Sequence, residues 1–240
     1  MSEAKSKTGS LYIFGVFIMA IMLTACQASK VKTGASNNPN GRNDAWGFIG
    51  IGGGGAMFNP AISPHNPDFG FVSCDMGGSF VTYNGGETWR MFNLHGQVHF
   101  YVFDPLDPNT VYANSIGLFK STDKGTTWSL IYPDPSEIKG FVAKGDHAEE
   151  VLFTKDSSIR KVLALAVDPE DSKRLYAAIS INKVEGFYVS DDAGLHWKME
   201  SGLTNGAQKI YIDPSSPKEN RTIYVAGSTG IAQKTNGVWG

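Results

Sequence analysis

A short pattern ending in tryptophan occurs four times in this chain, and it constrains the fold more than any other feature. Three copies are well preserved and the fourth is degenerate: Thr82–Trp89 (TYNGGETW), Ser121–Trp128 (STDKGTTW), Ser190–Trp197 (SDDAGLHW) and Lys234–Trp239 (KTNGVW). Successive tryptophans lie 39, 69 and 42 residues apart. Self-similarity at a period of about 40 residues indicates a repeat architecture, in which each repeat is one supersecondary unit.

The residue types of the pattern, Ser/Thr-x-Asp/Asn-x-Gly-x-x-Trp, predict a tight turn between two strands. Serine and aspartate side chains can hydrogen-bond the backbone of a turn, and glycine adopts positive φ at little steric cost. The tryptophan is expected to be largely buried as an apolar plug whose N–H can still reach a partner. The predicted structural residues are Thr82, Asn84, Gly86 and Trp89; Ser121, Asp123, Gly125 and Trp128; and Ser190, Asp192, Gly194 and Trp197.

A second pattern precedes the turns and consists of a strand, an Asp-Pro turn and another strand. It occurs at Val102–Ala113, Ala166–Ala177 and Tyr211–Val225. Two such hairpins per repeat make a four-stranded antiparallel unit, and no long segment has helical periodicity. The sequence therefore predicts an all-β propeller whose blades occupy residues 45–240, with an insertion at 133–160 that forms a loop over one face.

The number of repeats also bears on completeness. A propeller needs its last blade to meet its first, because open sheet edges otherwise remain. Four blades and a final repeat that stops one residue after Trp239 predict the N-terminal part of a longer, incomplete propeller. A genuine four-bladed ring is the alternative.

The first 25 residues have the composition of an export signal. Lys5 and Lys7 precede an apolar run, Leu11–Ala25, which is shorter than the about 20 residues of a membrane span. The run ends L-T-A-C at Cys26, which resembles the lipobox of bacterial lipoproteins. That resemblance implies that residues 1–25 are a lipoprotein signal peptide and that Cys26 carries acyl chains. Residues 26–44, rich in Ser, Asn, Gly and Lys, are predicted to be a flexible tether.

The expected location is therefore the cell envelope, either the outer membrane or the cell surface, with the lipid anchor as the only membrane contact. An ordinary signal peptide with an incidental cysteine is the alternative. The 21 basic and 23 acidic residues are nearly balanced and form no basic run, which argues against a nucleic-acid partner.

The remaining cysteine and two histidines are candidate reactive groups with structural explanations. Cys74 has no histidine nearby in the sequence, so we expect a small core residue rather than a nucleophile. His95 and His99 have no third ligand, and four-residue spacing in a β region does not make a metal site. They are predicted to be polar surface residues, and no metal or cofactor is expected.

The repeated turn resembles the Asp-box, or bacterial neuraminidase repeat, of sialidases, sortilin-type propellers and xyloglucan hydrolases. Ser121–Trp128 matches the Asp-box at every fixed position, whereas the first copy has Thr82 and Asn84 and the third has His196. The resemblance extends over about residues 46–240. It implies that the turns are structural and lie at the rim of the propeller, away from an active site.

The segment before the first turn resembles the start of xyloglucanase-type glycoside hydrolases. A glycine run, Ile49–Gly55, is followed by Met57–Pro60 and by Val72–Gly78 (VSCDMGG), which lies on the family's Tyr-Ala-Arg-Thr-Asp-x-Gly-Gly motif. The glycine run is not a phosphate-binding loop, because no Lys-Ser/Thr follows it. The resemblance makes Asp75 the catalytic general base of an inverting mechanism, with the second carboxylate beyond this chain. Ser73-Cys74 replaces the family's Arg-Thr.

Three functions follow from these patterns. The first is a surface-anchored glycoside hydrolase whose partner is a polysaccharide, a β-glucan such as xyloglucan. The alternative is a non-catalytic Asp-box propeller that binds a protein or glycan partner, as sortilin-type and photosystem-assembly propellers do. A sialidase is third, because the chain's five arginines show no motif context for the triad that binds the substrate carboxylate: Arg42, Arg90, Arg160, Arg174 and Arg221.

Overall fold

The computed structural model describes residues 55–76, 78–144 and 149–240. These ranges form eighteen β-strands and two 3-10 helices, and the strands assemble into four four-stranded sheets and one hairpin. None of the described segments contains a helix long and apolar enough to span a membrane. The predictions for residues 1–25, 26–44 and Cys26, and most of the glycine run, lie outside the described residues.

Each four-stranded sheet is an antiparallel meander that follows chain order. Sheet 1 contains β1 (Met57–Ile62), β2 (Gly70–Cys74), β3 (Ser79–Thr82) and β4 (Arg90–Phe92). Sheet 2 contains β5 (Phe100–Phe103), β6 (Val111–Asn114), β7 (Leu118–Ser121) and β8 (Ser129–Tyr132). The hairpin that follows contains β9 (Ile138–Lys144) and β10 (Glu149–Thr154), after a 3-10 helix at Pro135–Glu137.

Sheet 3 contains β11 (Arg160–Asp168), β12 (Asp171–Ile181), β13 (Val184–Ser190) and β14 (Lys198–Leu203). Sheet 4 contains β15 (Ala207–Ile212), β16 (Ile223–Gly227), β17 (Gly230–Thr235) and β18 (Val238–Trp239), with a 3-10 helix at Lys218–Asn220 before β16. The predicted all-β fold of four-stranded antiparallel units is confirmed.

The hydrophobic core lies between successive sheets. Phe71 and Val81 of sheet 1 pack with Val111 of sheet 2. Further along, one cluster joins sheets 2 and 3 and another joins sheets 3 and 4. The first strands of the sheets, β1, β5, β11 and β15, lie beside one another in that order. The sheets are therefore stacked face to face around a common line of first strands.

The Ser121–Trp128 turn is held by side-chain bonds to its own backbone. Ser121 Oγ accepts the Gly125 N–H at 2.8 Å and donates to Asp123 Oδ1 at 2.8 Å. Asp123 Oδ1 in turn accepts the Thr127 N–H at 2.8 Å, and Gly125 has a φ of 78°. These bonds satisfy polar groups that strands on either side cannot reach.

The same bonds recur in the other two well-preserved copies. At Thr82–Trp89 the Thr82 Oγ1 accepts the Gly86 N–H at 2.9 Å and donates to Asn84 Oδ1 at 3.0 Å. At Ser190–Trp197 the corresponding distances are 2.9 and 2.8 Å, with Gly194 and Asp192 as the partners. We call these three segments the repeat turns.

The tryptophans occupy equivalent positions, each directly before the fourth strand of its sheet in the three well-preserved copies. Trp128 stacks on Phe92 of the preceding sheet, with ring centroids 5.6 Å apart, and Trp197 meets Tyr132 edge-on at 6.4 Å. Most of each side chain is covered, as expected, and the remainder is accessible. Trp128 and Trp197 therefore each cover the seam between their own sheet and the preceding one.

The segment 133–160 is not the irregular loop that the sequence suggested. Its strands β9 and β10 pair with each other, and the hairpin is tied to the connection before β5. His95 Nδ1 lies 2.7 Å from Glu150 Oε2, the Glu150 N–H donates to the His95 carbonyl, and the His95 ring stacks on Phe141 at 5.3 Å. These contacts over long sequence separations give the insertion a regular structure.

Candidate functional site

Asp75 directly follows β2, in the turn that leads to β3. Strands of an antiparallel meander alternate in direction, so this turn and the repeat turn between β3 and β4 lie at opposite ends of sheet 1. We call the end with Asp75 the Asp75 face and the other end the repeat-turn face. On the repeat-turn face, Tyr83 OH donates to the Lys124 carbonyl at 2.9 Å, so neighbouring repeat turns are linked there.

The Asp75 carboxylate is fixed through one of its oxygens. Oδ1 accepts the Ala56 N–H at 2.9 Å, and the Asp75 N–H donates to the Ala56 carbonyl at 3.2 Å. Cys74 Sγ lies 3.7 Å from the same Oδ1. Oδ2 makes no hydrogen bond with any described residue, and the side chain is half-buried. The hydrogen bond to one oxygen therefore fixes the orientation of the carboxylate.

A glycine allows this close approach. Gly55 has a φ of 102°, and a Cβ at this position would lie 2.6 Å from Asp75 Oδ1 and 2.7 Å from Cys74 Sγ. Any other residue would displace the carboxylate or the strand. Gly55, the last residue of the glycine run Ile49–Gly55, is thus required by the position of Asp75.

The two residues that replace the family's Arg-Thr are buried beneath Asp75. Cys74 is 3% exposed, which confirms the prediction of a small core residue. Ser73 Oγ donates to Tyr101 OH of sheet 2 at 3.2 Å. Burial raises the pKa of Tyr101 to about 12, despite the opposing hydrogen bond from Ser73, so this phenol stays protonated. Sheet 2 thereby supports the strand that carries Asp75.

A cleft of about 380 Å³ opens near the β6–β7 turn and the hairpin. Asn114 is buried there and donates through Nδ2 to the Val162 carbonyl at 3.1 Å, while its Oδ1 has no partner among the described residues. Ser115 Oγ is also buried and has no partner among the described residues. The lining residues are Gly96, Gln97, His99, Asn114, Ser115, Ile116, Lys144, Glu150 to Leu152 and Ile159 to Leu163. Such a cleft offers polar groups to a ligand with many hydroxyls.

The two histidines have separate environments. His95 is held by the hairpin. His99 lines the cleft, and its backbone N–H donates to the Asn114 carbonyl at 2.7 Å. Within the described ranges, no group of three or more His, Cys, Asp or Glu side chains is arranged to hold a metal ion.

The repeat-turn aspartates are committed to their own turns. Hydrogen bonds from the Thr127 side chain and backbone lower the pKa of Asp123 to about 2. For Asp192, burial acts to raise the pKa, but bonds from the His196 backbone and ring outweigh it and the value is about 2. Both carboxylates are ionised acceptors with fixed partners, which suits a structural role better than acid–base chemistry.

The four arginines in the described ranges bind different partners at separate places. Their partners are the Gly125 carbonyl for Arg90, Glu137 and Asp156 for Arg160, Asp191 for Arg174, and Asp168 and Glu170 for Arg221. These pairings give no support to a triad that binds a substrate carboxylate.

Comparison with known proteins gives the following relationships. No protein-family model matches the chain. Two curated sequences, both named xyloglucanase Xgh74A and both from Acetivibrio thermocellus, are 28% identical over 191 residues, which covers 71% of this chain and 20% of theirs. The chain thus spans about a fifth of the length of the curated relatives it matches.

Among solved structures, the crystal structure of an ancestral GH74 enzyme has a TM-score of 0.54 at 18% identity, over 75% of this chain and 25% of that chain. The chain is therefore homologous to a xyloglucanase, and its sheets share the fold of a GH74 propeller.

Proposed function

We propose that this chain is the part of a xyloglucanase-type glycoside hydrolase that supplies the general base, and that its substrate is a β-glucan such as xyloglucan. The observation that carries the proposal is the Asp75 carboxylate, anchored through Oδ1 and open at Oδ2 on the face opposite the repeat turns. The 28% identity to xyloglucanase Xgh74A supports the substrate class.

In this mechanism Asp75 Oδ2 accepts a proton from the water that attacks the anomeric carbon. A second carboxyl group, about 6.5–9.5 Å away, protonates the leaving oxygen in inverting glycosidases. The proposal assigns that acid to polypeptide outside these 240 residues. The Ala56 N–H keeps the base from rotating, so that its open oxygen stays directed toward the water.

The cleft beside the hairpin suits a chain of neutral sugars. Polar side chains that line the cleft, among them Gln97, His99 and Lys144, can hydrogen-bond sugar hydroxyls. We assign this cleft to glucosyl units remote from the bond that is cleaved. Binding energy gained there favours positioning of the reacting sugar.

The test is Asp75→Asn in the full-length protein, with Asp68→Asn as the control. Asp68 is an exposed carboxylate on the opposite end of the same sheet. We expect Asp75→Asn to lose xyloglucan hydrolysis while retaining oligosaccharide binding, and Asp68→Asn to be fully active. Proton NMR of the first product should show inversion at the anomeric carbon. Normal turnover by Asp75→Asn would exclude it as the base, and binding without turnover by the wild type would indicate a non-catalytic propeller.

We infer that the repeat turns are Asp-boxes and that the four sheets are blades of an incomplete propeller. The recurring bonds of Ser121 and Asp123, Ser190 and Asp192 support the first statement. Hydrogen–deuterium exchange on the full-length protein checks the statement about the blades. If a further blade packs on sheet 4, the amides of sheet 4 should be protected to the same extent as those of sheet 3. Rapid exchange throughout β16 and β17 would contradict it.

We also propose that the mature protein is anchored through acyl chains on Cys26, the last residue of the lipobox-like sequence L-T-A-C. More than one acyl chain is needed for stable attachment to a membrane. Metabolic palmitate labelling should mark the wild type, and Cys26→Ser should remove the label and block processing. A label that persists in Cys26→Ser would refute lipidation at this residue.

A further inference from the structure

The cleft beside the hairpin is lined by two parts of the chain that lie far apart in sequence. Gln97 comes from the connection between β4 and β5, whereas Glu150 to Leu152 belong to β10 of the hairpin. The residues Glu150 to Leu152 are called here the hairpin wall. Val151 and Leu152 offer apolar contacts to the carbon-bound hydrogens of a sugar ring, and Gln97 offers hydrogen bonds to its hydroxyls. Sugar binding in the cleft therefore depends on where the hairpin is held.

The base of the hairpin is fixed by contacts to Glu137, which directly precedes β9. Arg160 Nη1 lies 2.6 Å from Glu137 Oε2, and the Lys155 N–H donates to the Glu137 carbonyl at 2.8 Å. Lys155 directly follows β10, whereas the hairpin wall lies at the start of that strand. The contacts at the base therefore do not by themselves fix the position of the wall.

His95 holds the hairpin at the wall itself. Its Nδ1 lies 2.7 Å from Glu150 Oε2, and its carbonyl accepts the Glu150 N–H at 2.9 Å. Its ring is nearly parallel to that of Phe141 in β9, at 5.3 Å, and to that of Phe119 in sheet 2, at 6.5 Å. One residue thus connects both strands of the hairpin to sheet 2.

The backbone around His95 is itself held against sheet 2. His95 has a φ of 65°, a left-handed conformation that histidine tolerates better than most residues, and its N–H donates to Asn93 Oδ1 at 2.5 Å. The next residue, Gly96, lies so close to the β6–β7 turn that a Cβ there would be 3.3 Å from Ser115 Oγ. His95 is therefore placed by the fold before any ligand enters the cleft.

We propose that His95 is a positioning residue for the hairpin wall, and that this wall makes the protein select long glucan chains over short oligosaccharides. The inference rests on the proposed assignment of the cleft to glucosyl units remote from the bond that is cleaved. Only a chain long enough to reach the cleft gains contacts with the wall. Because His95 holds the wall in place beforehand, a long chain binds without the cost of ordering those side chains.

Two variants release the wall without changing its own residues. His95→Asn removes the imidazole but keeps a residue that tolerates positive φ, and Phe141→Ala removes the stacking partner, which does not line the cleft. Phe141→Tyr keeps the stacked ring, and Val142→Ala, at an exposed neighbouring position, is the second control. In hydrogen–deuterium exchange on the full-length protein, the amides of β9 and β10 should exchange faster in the two releasing variants and at the wild-type rate in both controls.

Calorimetry with two ligands measures the selectivity. The ligands are a long xyloglucan chain and the shortest xyloglucan oligosaccharide that the protein binds, and every variant also carries Asp75→Asn so that neither ligand is cleaved. Each releasing variant should raise the Kd for the long chain at least about threefold, the cost of ordering one side chain on binding, and leave the Kd for the short one unchanged. Phe141→Tyr and Val142→Ala should leave both values unchanged.

Kinetics on the long chain separate this inference from the hydrolysis proposed for Asp75. With Asp75 intact, His95→Asn and Phe141→Ala should raise KM and leave kcat unchanged, because the wall is remote from the reacting bond. Normal turnover by Asp75→Asn alone would count against Asp75 as the base, whereas the exchange rates and Kd values test the wall. Wild-type exchange in both folded releasing variants, or equal changes in the two Kd values, would overturn the proposal.

Discussion

Arg221, in the loop before β16, makes a two-point ion pair with Asp168 at the end of β11. Its Nε and Nη2 lie 2.9 and 2.8 Å from the two carboxylate oxygens, and both side chains are buried. Tyr176 OH donates to the same carboxylate at 3.1 Å, and Glu170 binds the outer side of the guanidinium at 2.6 Å. This network joins sheets 3 and 4 near the repeat turns.

Removal of the guanidinium should destabilise the fold strongly. Arg221→Met leaves the Asp168 carboxylate buried without its counter-charge, which costs about 3–5 kcal/mol. Lys218→Met is the matched control, because Lys218 pairs with Asp171 between the same two sheets in a partly exposed setting, where a pair contributes about 0–1 kcal/mol. The free energy of unfolding in urea measures both. Equal, small losses would contradict the assigned importance of the buried pair.

Low pH should destabilise the fold by protonating the Asp168 carboxylate. Burial acts to raise the pKa of Asp168, but the bonds from Arg221 and from the Glu170 N–H outweigh it, so the pKa is lowered. The folded state therefore binds a proton less readily than the unfolded state. The stabilisation is complete above the unfolded pKa of about 3.9 and is lost as pH falls through the lower folded value.

Thermal melts from pH 6 to pH 2 check this dependence. The melting temperature should fall below about pH 4 in the wild type, and the fall should be shallower in Asp168→Asn, which starts from a lower value. A wild-type melting temperature that stays constant down to pH 2 would show that neither Asp168 nor the repeat-turn aspartates contribute in this way.

Local chemistry explains which parts of the fold were predictable. The tight turn predicted at Ser121–Trp128 is observed between β7 and β8, because the bonds that close it come from Ser121 and Asp123 themselves. The strand after the turn begins at Ser129, directly after Trp128, and the Trp128 indole covers the seam with sheet 1.

Contacts over long sequence separations explain what was missed. The insertion was predicted as a loop because the partner that fixes it, His95, lies 55 residues from Glu150. Arg221 had no recognisable motif, and its partner Asp168 lies 53 residues earlier. At the candidate site, Asp75 came from a motif, but its anchor, the Ala56 N–H, and the orphan oxygen of Asn114 depend on tertiary structure.

The repeat-turn tryptophans should differ in their tolerance of phenylalanine. Trp197 Nε1 donates to the Gly194 carbonyl at 3.0 Å, whereas Trp128 Nε1 is buried with no partner among the described residues. The corresponding carbonyl, that of Gly125, instead accepts from Arg90 at 2.7 Å. Trp197→Phe should therefore cost about 1 kcal/mol more than Trp128→Phe, the contribution of one hydrogen bond. Urea unfolding of the two variants measures the difference, and a larger loss in Trp128→Phe would contradict it.

Gly125 should be the least replaceable residue of the second repeat turn. Its φ of 78° disfavours any side chain, and an added Cβ would lie 2.8 Å from two ring carbons of Phe71 in sheet 1. The backbone strain costs about 1–2 kcal/mol and the crowding about 1–3 kcal/mol. Gly140→Ala is the control, because nothing lies within 4 Å of a Cβ there, and its free energy of unfolding should change by less than about 1 kcal/mol. If crowding is the cause, Phe71→Leu should cost less in the Gly125→Ala background than in the wild type. Additive losses would leave backbone strain alone as the reason for glycine.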